Sequence, residues 1–532
     1  MQLAFRGGFA LFFVWALPGL AAHGSVIREL KHDVSLPLRS LAFPSATVIT
    51  ADEREELWEA AEGGGPVVAQ ADGVAQLTAG TKLKTAPGMN LLGLGSGFIG
   101  PQGSFQIGGA PPDPNASVGA TQIVETVNLQ LAVFDKATGA PTLGPTFLGS
   151  LWSGFNASCS TAADIADPVV VYDKQAGRWL VNIHTLGNPY VICFAVSTSG
   201  DATGTYNRYA FQVQARGSGT NEQVGVWPDG YYLAQWIYTN STTYVGPQAC
   251  AADRQQMLAG QTATMQCFQI ENTSLHGMAP SDLDGTNPPP AGSPNYYLIQ
   301  GPAGSNSLYL YRFHVDFTTP ANSTFTGPTT IDVGAYRPAP AFGVAAIPQP
   351  STSQLLEVFG NDLMPRLAYR YFPGATRPYE SLVATYSVTV GTGSSSRTAV
   401  RWYELRNPGT SVTVYQQGTY SPDTTHRWMG SIAMDKMGDI AIGYSVSSAS
   451  VYPGIRYAGR VSSDPLNELG AEATVYSGSG SQSSGARWGD YTSMSVDPAD
   501  DCTMWYTGEY MGGSGALEWA TRLFSFRFSA CQ

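Results

Sequence analysis

The sequence predicts an all-β fold: a β-propeller of about seven blades, preceded by a short irregular N-terminal segment. Three observations lead there. The stretch RWGDYTSMSVDPADDCTMWYTGEY (Arg487–Tyr510) runs Arg-Trp, short apolar strand, acidic turn, aromatic strand, and a weaker copy, RWMGSIAMDKMGDIAIGYS, starts at Arg427. In both copies the turn aspartate precedes an aromatic by the same interval, Asp435 to Tyr444 and Asp497 to Tyr506, so a strand–turn–strand unit recurs with matched length. Related runs begin at Pro168, Val224, Asn295 and Ala345, with further strands such as YVICFAVSTSG and AVRWYELR between them and no convincing long helix. Four short strands per unit, at roughly 50–60 residues per unit, leave room for about seven units from Asp113 to the C-terminus. Two β-sandwich domains are the rival arrangement, and the single texture of this region argues against them.

Composition agrees. Charged residues make up 13% of the 532 positions, while Gly (60), Pro (35) and Tyr (27) are abundant. Low charge with many turn formers and β-favouring aromatics fits an all-β extracellular protein better than a helical cytosolic enzyme. The net charge of −12 repels phosphates and anionic lipid heads, which argues against a nucleic-acid partner.

Taking the chain in order, MQLAFRGG supplies a positive charge, ALFFVWALPGL an apolar run, and AAHG small residues for cleavage after Ala21 or Ala22. Residues 1–22 therefore read as a signal peptide, too short for a comfortable membrane span, and no later run is long enough to span. Residues 23–112 read as a pro-segment or linker, partly disordered, with an acidic helical patch at ADEREELWEAAEGGG and a Gly- and Pro-dense stretch from Ser96 to Asn115. GSGFIG (Gly95–Gly100) has the glycine spacing of a dinucleotide loop, but Pro101 stands where a helix should begin, so it reads as linker. Residues 113–532 form the propeller domain. Six cysteines in an exported chain suggest disulfides, and their grouping favours Cys159–Cys193, Cys250–Cys267 and Cys502–Cys531. No Cys-x-x-Cys and no suitably spaced His points to a metal.

Several stretches together, among them DPNASVGATQIVETVNLQLAVFDK, DPVVVYDKQAGRW, VGVWPDGYY, HRWMGSIAMDKMGDIAIGYS and the Arg487–Tyr510 stretch, resemble a group of large secreted proteins, mostly bacterial, predicted to be β-propellers. The resemblance runs from about Asp113 to Cys531 and is most specific at Arg487–Tyr510. It implies a secreted propeller and brings no established activity with it.

Propellers bind ligands where loops and inner-strand ends meet around the channel mouth. Arg427, Arg487 and Asp490 occupy corresponding points of the two copies. Arg370, Glu380, Arg401 and Glu404 join them if the 366–406 region is also inner-blade structure, and Trp227, Asp229 and Asp167 more loosely. Converging guanidinium groups would hold a carboxylate and aromatic faces would stack on sugar rings. A pair such as Glu380 and Asp490 would supply acid and base for glycosidic cleavage if the fold brings them within roughly 5–10 Å. Glu509 with Tyr510, or with Tyr491, offers a Tyr–Glu nucleophile pair of the sialidase sort. The competing reading is structural: Arg and Asp at blade starts knit neighbouring blades together. SPDTTHRW (Ser421–Trp428) keeps the Ser, Asp and Trp of a sialidase Asp-box but lacks its Gly and Thr, and reads as accidental. SDLDGTN (Ser281–Asn287) resembles the start of a calcium loop through Asp282, Asp284 and Thr286, yet lacks the later Glu; a polar turn is favoured, with a weak calcium site as the alternative. His184, His276, His314 and His426 are scattered, and no Walker loop, HExxH or GxSxG occurs. The expectation is a secreted, monomeric carbohydrate-active protein without a required cofactor, a glycoside hydrolase or polysaccharide lyase working at the channel mouth on an oligosaccharide or polysaccharide. The alternative is a non-catalytic glycan- or protein-binding propeller.

Overall fold

The computed structural model describes residues 23–41, 71–155, 157–160, 165–214, 217–240, 242–360 and 362–532. The expected signal peptide and the acidic patch from Ala51 lie outside the described residues. Among the described residues the chain forms a β-propeller: seven four-stranded antiparallel blades in a ring. Blades 1 to 6 span residues 115–147, 165–214, 218–269, 279–332, 367–420 and 426–476, and blade 7 takes three strands from 493–528. The innermost strands are Asn115–Val118, Ile165–Asp173, Ser218–Val226, Ala279–Leu283, Leu367–Phe372, His426–Met434 and Ser493–Val496. Each lies beside the next, and the seventh returns to the first.

A blade is sandwiched between two others, so its middle strands are covered on both faces and carry unbroken apolar runs. Tyr190–Ser197 and Met504–Met511 are buried at every position. Inner strands of different blades mostly splay too far apart for a shared backbone ladder, and their N–H groups need other partners. Short polar side chains supply them. Asn115 Oδ1 accepts from Val170 N at 3.0 Å, Ser117 Oγ from Tyr172 N at 3.0 Å, Ser493 Oγ from Ala116 N at 2.8 Å, Ser431 Oγ from Met494 N at 2.9 Å and Asp282 Oδ1 from Val226 N at 2.9 Å. This is why Ser, Asn and Asp recur in strands that are otherwise apolar.

The two Arg-Trp copies are the two inner strands of blades 6 and 7, and Trp428 and Trp488 are both fully buried with ring centroids 5.9 Å apart. The segment ahead of Asp113 is part of the ring. Thr85–Gly95 pairs antiparallel with Trp519–Phe528 as the fourth, outermost strand of blade 7. His23–Val34 lies between Tyr206–Gln214 and Thr264–Gln269, joining the outer edges of blades 2 and 3. Both strands cover edges that would otherwise present unpaired backbone groups. Asp113 thus marks the entrance to blade 1 and not the beginning of the propeller. The structure joins Cys159–Cys193, Cys250–Cys267 and Cys502–Cys531, the pairs that sequence grouping favours.

Candidate functional site

The upper end of the ring is taken as the end at which the inner strands begin. Near that point six blades place a residue in the left-handed region: Asp113 (φ 47°), Asp167 (48°), Asn221 (59°), Gly277 (57°), Met429 (48°) and Asp490 (54°). Asp and Asn tolerate this conformation better than other side-chain-bearing residues. Gly277 also makes room, since a Cβ there would stand 2.0 Å from Asp362 Oδ1. The result is a ring of buried polar groups around the mouth, with Tyr491 among them. The Tyr491 hydroxyl donates to Asn221 Oδ1. Burial, reinforced by the Asp167, Asp113, Asp490 and Glu222 carboxylates, pushes its pKa well above the usual tyrosine value, so it stays a neutral phenol.

Around it, Asp167 Oδ2 accepts from Thr220 Oγ1 and from Asn221 N, both at 3.0 Å, and Asp113 Oδ2 accepts from Asn128 Nδ2 at 2.6 Å. Glu222 pairs with His184 and accepts from the Tyr190 hydroxyl. Burial raises the Glu222 pKa and His184 opposes the shift. One ligand atom from each of Asp167, His184 and Glu222 lies within 4.8 Å of the others, a mixed oxygen and nitrogen donor set of the kind that suits a divalent cation. On the blade 7 side, Arg487 pairs with Asp490 and, at 3.1 Å, with Glu357. Glu509 Oε2 accepts from Gly489 N at 2.7 Å. Burial drives the Glu509 pKa well above the carboxylate range; the Gly489 bond opposes this and the Asp490 charge adds to it.

The connection between blades 4 and 5, described over residues 333–360 and 362–366, roofs this mouth. Phe359 packs edge-on against Phe342 at 4.6 Å and against Tyr491 at 6.3 Å, and the Arg487 guanidinium sits 4.5 Å from the Phe342 ring centroid. Below the roof the channel is nearly filled. Its cavity measures about 20 Å³, on the order of a single water. Arg366 crosses it, donating to Asp282 Oδ2 at 2.6 Å, pairing with Asp284 at 2.9 Å and reaching the Met494 carbonyl at 2.9 Å. Beside the roof, on the same face, an open cleft of about 990 Å³ runs along blades 4, 5 and 6.

Of the residues singled out from sequence, Arg487, Asp490, Tyr491 and Glu509 come together at the upper mouth. Asp167, singled out more loosely, joins them there; the remaining ones do not, which corrects the expectation of one shared mouth. Glu380 pairs in register with Tyr371, at the lower end of blade 5, where it accepts from the Tyr296 and Tyr369 hydroxyls at 2.7 and 2.9 Å. The inner strand Leu367–Phe372 separates the two ends, and its six residues at about 3.3 Å each put them roughly 17–20 Å apart. Glu380 and Asp490 therefore cannot share a glycosidic bond. Trp227 also lies at the lower end, packed edge-on against Tyr369 at 4.7 Å. Arg370 pairs there with Asp501 at 2.7 Å, tying blade 5 to blade 7. Arg401 is buried against Asp72 and Gln417, and Arg427 against Glu472 and Asp423, both away from the mouth. Glu404 is taken by Arg406 and Gln416. In SDLDGTN, Asp282 and Asp284 are engaged by Arg366 and Lys174, so cationic side chains occupy the oxygens a calcium loop would use.

Spacing missed Asp167, His184 and Glu222 as a group because three separate strands bring them together. The Asp-Pro pairs at Asp113 and Asp167, with Gly-Asp at Asp490, are the signal that marks the mouth.

No protein-family model and no curated protein matches the chain. Among solved structures the chain is similar to a Hadza microbial sialidase (10% identity over 77% of this chain and 74% of that one, TM-score 0.35). It is also similar to the WD40 domain of SCAP from fission yeast (8%, 79% and 96%, TM-score 0.33) and to a Trypanosoma rangeli sialidase in complex with the inhibitor DANA (10%, 69% and 55%, TM-score 0.31). At this identity and score the likeness says nothing of activity in this chain.

Proposed function

We propose that the protein is an extracellular carbohydrate-active propeller that works at its upper face, with Asp490 and Glu509 as the carboxyl pair of a glycoside hydrolase. The observation that carries this reading is the contrast between two neighbouring carboxyl groups. Glu509 receives the Gly489 N–H, and burial keeps it a neutral acid; Asp490 is bound to the Arg487 guanidinium. Neighbouring carboxyls held in unlike environments divide the acid and base roles of glycosidic cleavage. Glu509 would protonate the leaving oxygen, and Asp490 would act as base or nucleophile beside the Tyr491 hydroxyl. Substrate reaches the pair by displacing the 333–366 connection.

A second reading, glycan binding without cleavage, is favoured by the burial of Asp490 and Glu509, 4% and 0% exposed, beside an open cleft. Incubating the mature protein with neutral and acidic polysaccharides and chromatographing the products separates the two. New oligosaccharides, reduced by about 100-fold or more in Glu509→Gln and Asp490→Asn, support the hydrolase. Products absorbing as unsaturated uronates assign a lyase instead. Cleavage unaltered in both variants removes the pair from the mechanism, and a silent panel with glycan retention supports binding alone.

A further inference from the structure

The cleft beside the roof differs in charge from the rest of the molecule. The chain carries 40 acidic against 28 basic residues, yet among the described residues no Asp or Glu lines the cleft, while Arg337, Arg397 and His426 do. Arg366, Arg370, Arg401, Arg427 and Arg487 are each paired with a carboxylate. Arg337 and Arg397 bond to neutral oxygens, as Arg178 and Arg312 do elsewhere on the ring, and the half-exposed Asp423 carboxylate lies within electrostatic reach of Arg397. Arg337 Nη2 donates to the Gly391 carbonyl at 2.6 Å and to Ser396 Oγ at 2.8 Å, which fixes the plane of its guanidinium. Arg397 donates to Ser421 Oγ at 2.8 Å and to the Ser421 and Ser395 carbonyls. Two oriented guanidinium groups bonded to neutral oxygens, in an otherwise acidic protein, are complementary to an anion.

His426 adds a neutral donor. Thr398 N–H donates to its Nδ1 at 3.2 Å, so the ring proton belongs on Nε2. Burial, then the Arg397 and Arg427 charges, press its pKa down to about 4, so the ring is uncharged at neutral pH. The segment that continues from Arg337 is apolar and also lines the cleft, through Pro338, Ala339, Pro340, Ala341 and Val344. A volume of about 990 Å³ with an apolar wall and a few converging donors is the form of a ligand site.

We propose that this cleft binds the anionic group of an acidic saccharide, a uronate carboxylate or a sulfate ester, between Arg337 and Arg397, with the sugar ring against the Pro338–Ala341 wall. The saccharide half of this inference rests on the carbohydrate reading above; the anion half does not.

Calorimetric titration of the mature protein tests it with four probes: an oligogalacturonate, a sulfated oligosaccharide, a neutral oligosaccharide of the same length, and inorganic sulfate. Either acidic saccharide is expected to bind, more weakly as salt rises from about 20 to 200 mM. Arg337→Gln should weaken it about tenfold, the worth of one charged hydrogen bond. Ala341→Glu, which places a carboxylate on the wall, should abolish binding. Lys436→Gln, the same charge change on an exposed side chain at the lower face, should leave binding unaltered. Which acidic probe binds tells uronate from sulfate ester. Neutral and acidic probes binding alike, or Arg337→Gln binding as well as wild type, overturns the anion site and leaves the carbohydrate reading standing. Inorganic sulfate binding at Arg337 while every saccharide fails keeps the anion half of the inference and overturns its saccharide half. Silence from all four overturns both halves of the inference.

Discussion

Leu94 and Glu125 meet across the seam that closes the ring: the Leu94 N–H, in the outer strand of blade 7, donates to Glu125 Oε2 of blade 1 at 2.8 Å. Thr507 and Thr521 donate to Oε1 at 2.9 and 2.7 Å. Gly93 allows the approach, since a Cβ there would lie 2.5 Å from the carboxylate. Burial, opposed by these three bonds, raises the Glu125 pKa from 4.5 to about 7. A group raised in the folded state contributes stability that is full below its ordinary pKa and is lost as pH rises through the folded value. Wild-type melting temperature should therefore fall between about pH 5 and 8. Asp435, raised to about 7 by burial and Asp439, acts in the same direction. Glu125→Gln should remove part of that slope, and thermal melts across the range check it; an unchanged slope refutes the assignment.

Arg366 holds two buried carboxylates across the channel. Arg366→Met leaves Asp282 without its guanidinium and Asp284 with Lys174 alone. Breaking a buried pair from one side costs about 3–5 kcal/mol. Urea unfolding should show a loss of that size. A loss near zero would mean that the channel repacks or admits water without penalty.

The outer strand of blade 7 makes a truncation test sharp. A chain beginning at residue 71 keeps Thr85–Gly95 and should melt cooperatively, though weakened by the loss of the His23–Val34 strand and of the buried Leu38. A chain beginning at Ser96 exposes the whole Trp519–Phe528 edge and should aggregate or lose its cooperative transition. Circular dichroism melts with light scattering distinguish the two. Equal behaviour would show that the closing strand is dispensable.

Cys502 and Cys531, separated by 29 residues, staple the turn between the first and second strands of blade 7 to the chain just past its third strand. Replacing both with Ser should lower unfolding free energy by about 3 kcal/mol. Guanidinium unfolding at a fixed pH measures it, and no change would place the native constraint elsewhere.

The blades were legible because two inner strands of one blade are consecutive in sequence, and Arg487–Tyr510 shows both strands and their turn in one reading. The strand Thr85–Gly95 was not, since it has no neighbouring hairpin and its partner lies at the other end of the chain. Site residues divide in the same way. Arg487, Asp490, Tyr491 and Glu509 fall within one repeat and arrive together. Glu380 and Arg370 lie in the strand ends that flank the turn between first and second strands, at the opposite end of a blade from its beginning, a distinction that a repeat alone does not carry. The likeness of Arg427 and Arg487 in sequence also misleads. Each follows its own loop, one to Glu472 and the other to Glu357.

The Leu94–Thr521 contact joins residues 427 positions apart, and that span has a temporal meaning. A ribosome makes the Thr85–Gly95 strand long before its partner Trp519–Phe528, so the early strand must wait for the late one. Until then the outer strand of the seventh blade has no edge to dock on. The circle locks only when the tail arrives, which makes its final step a long-range closure of the kind that slows folding.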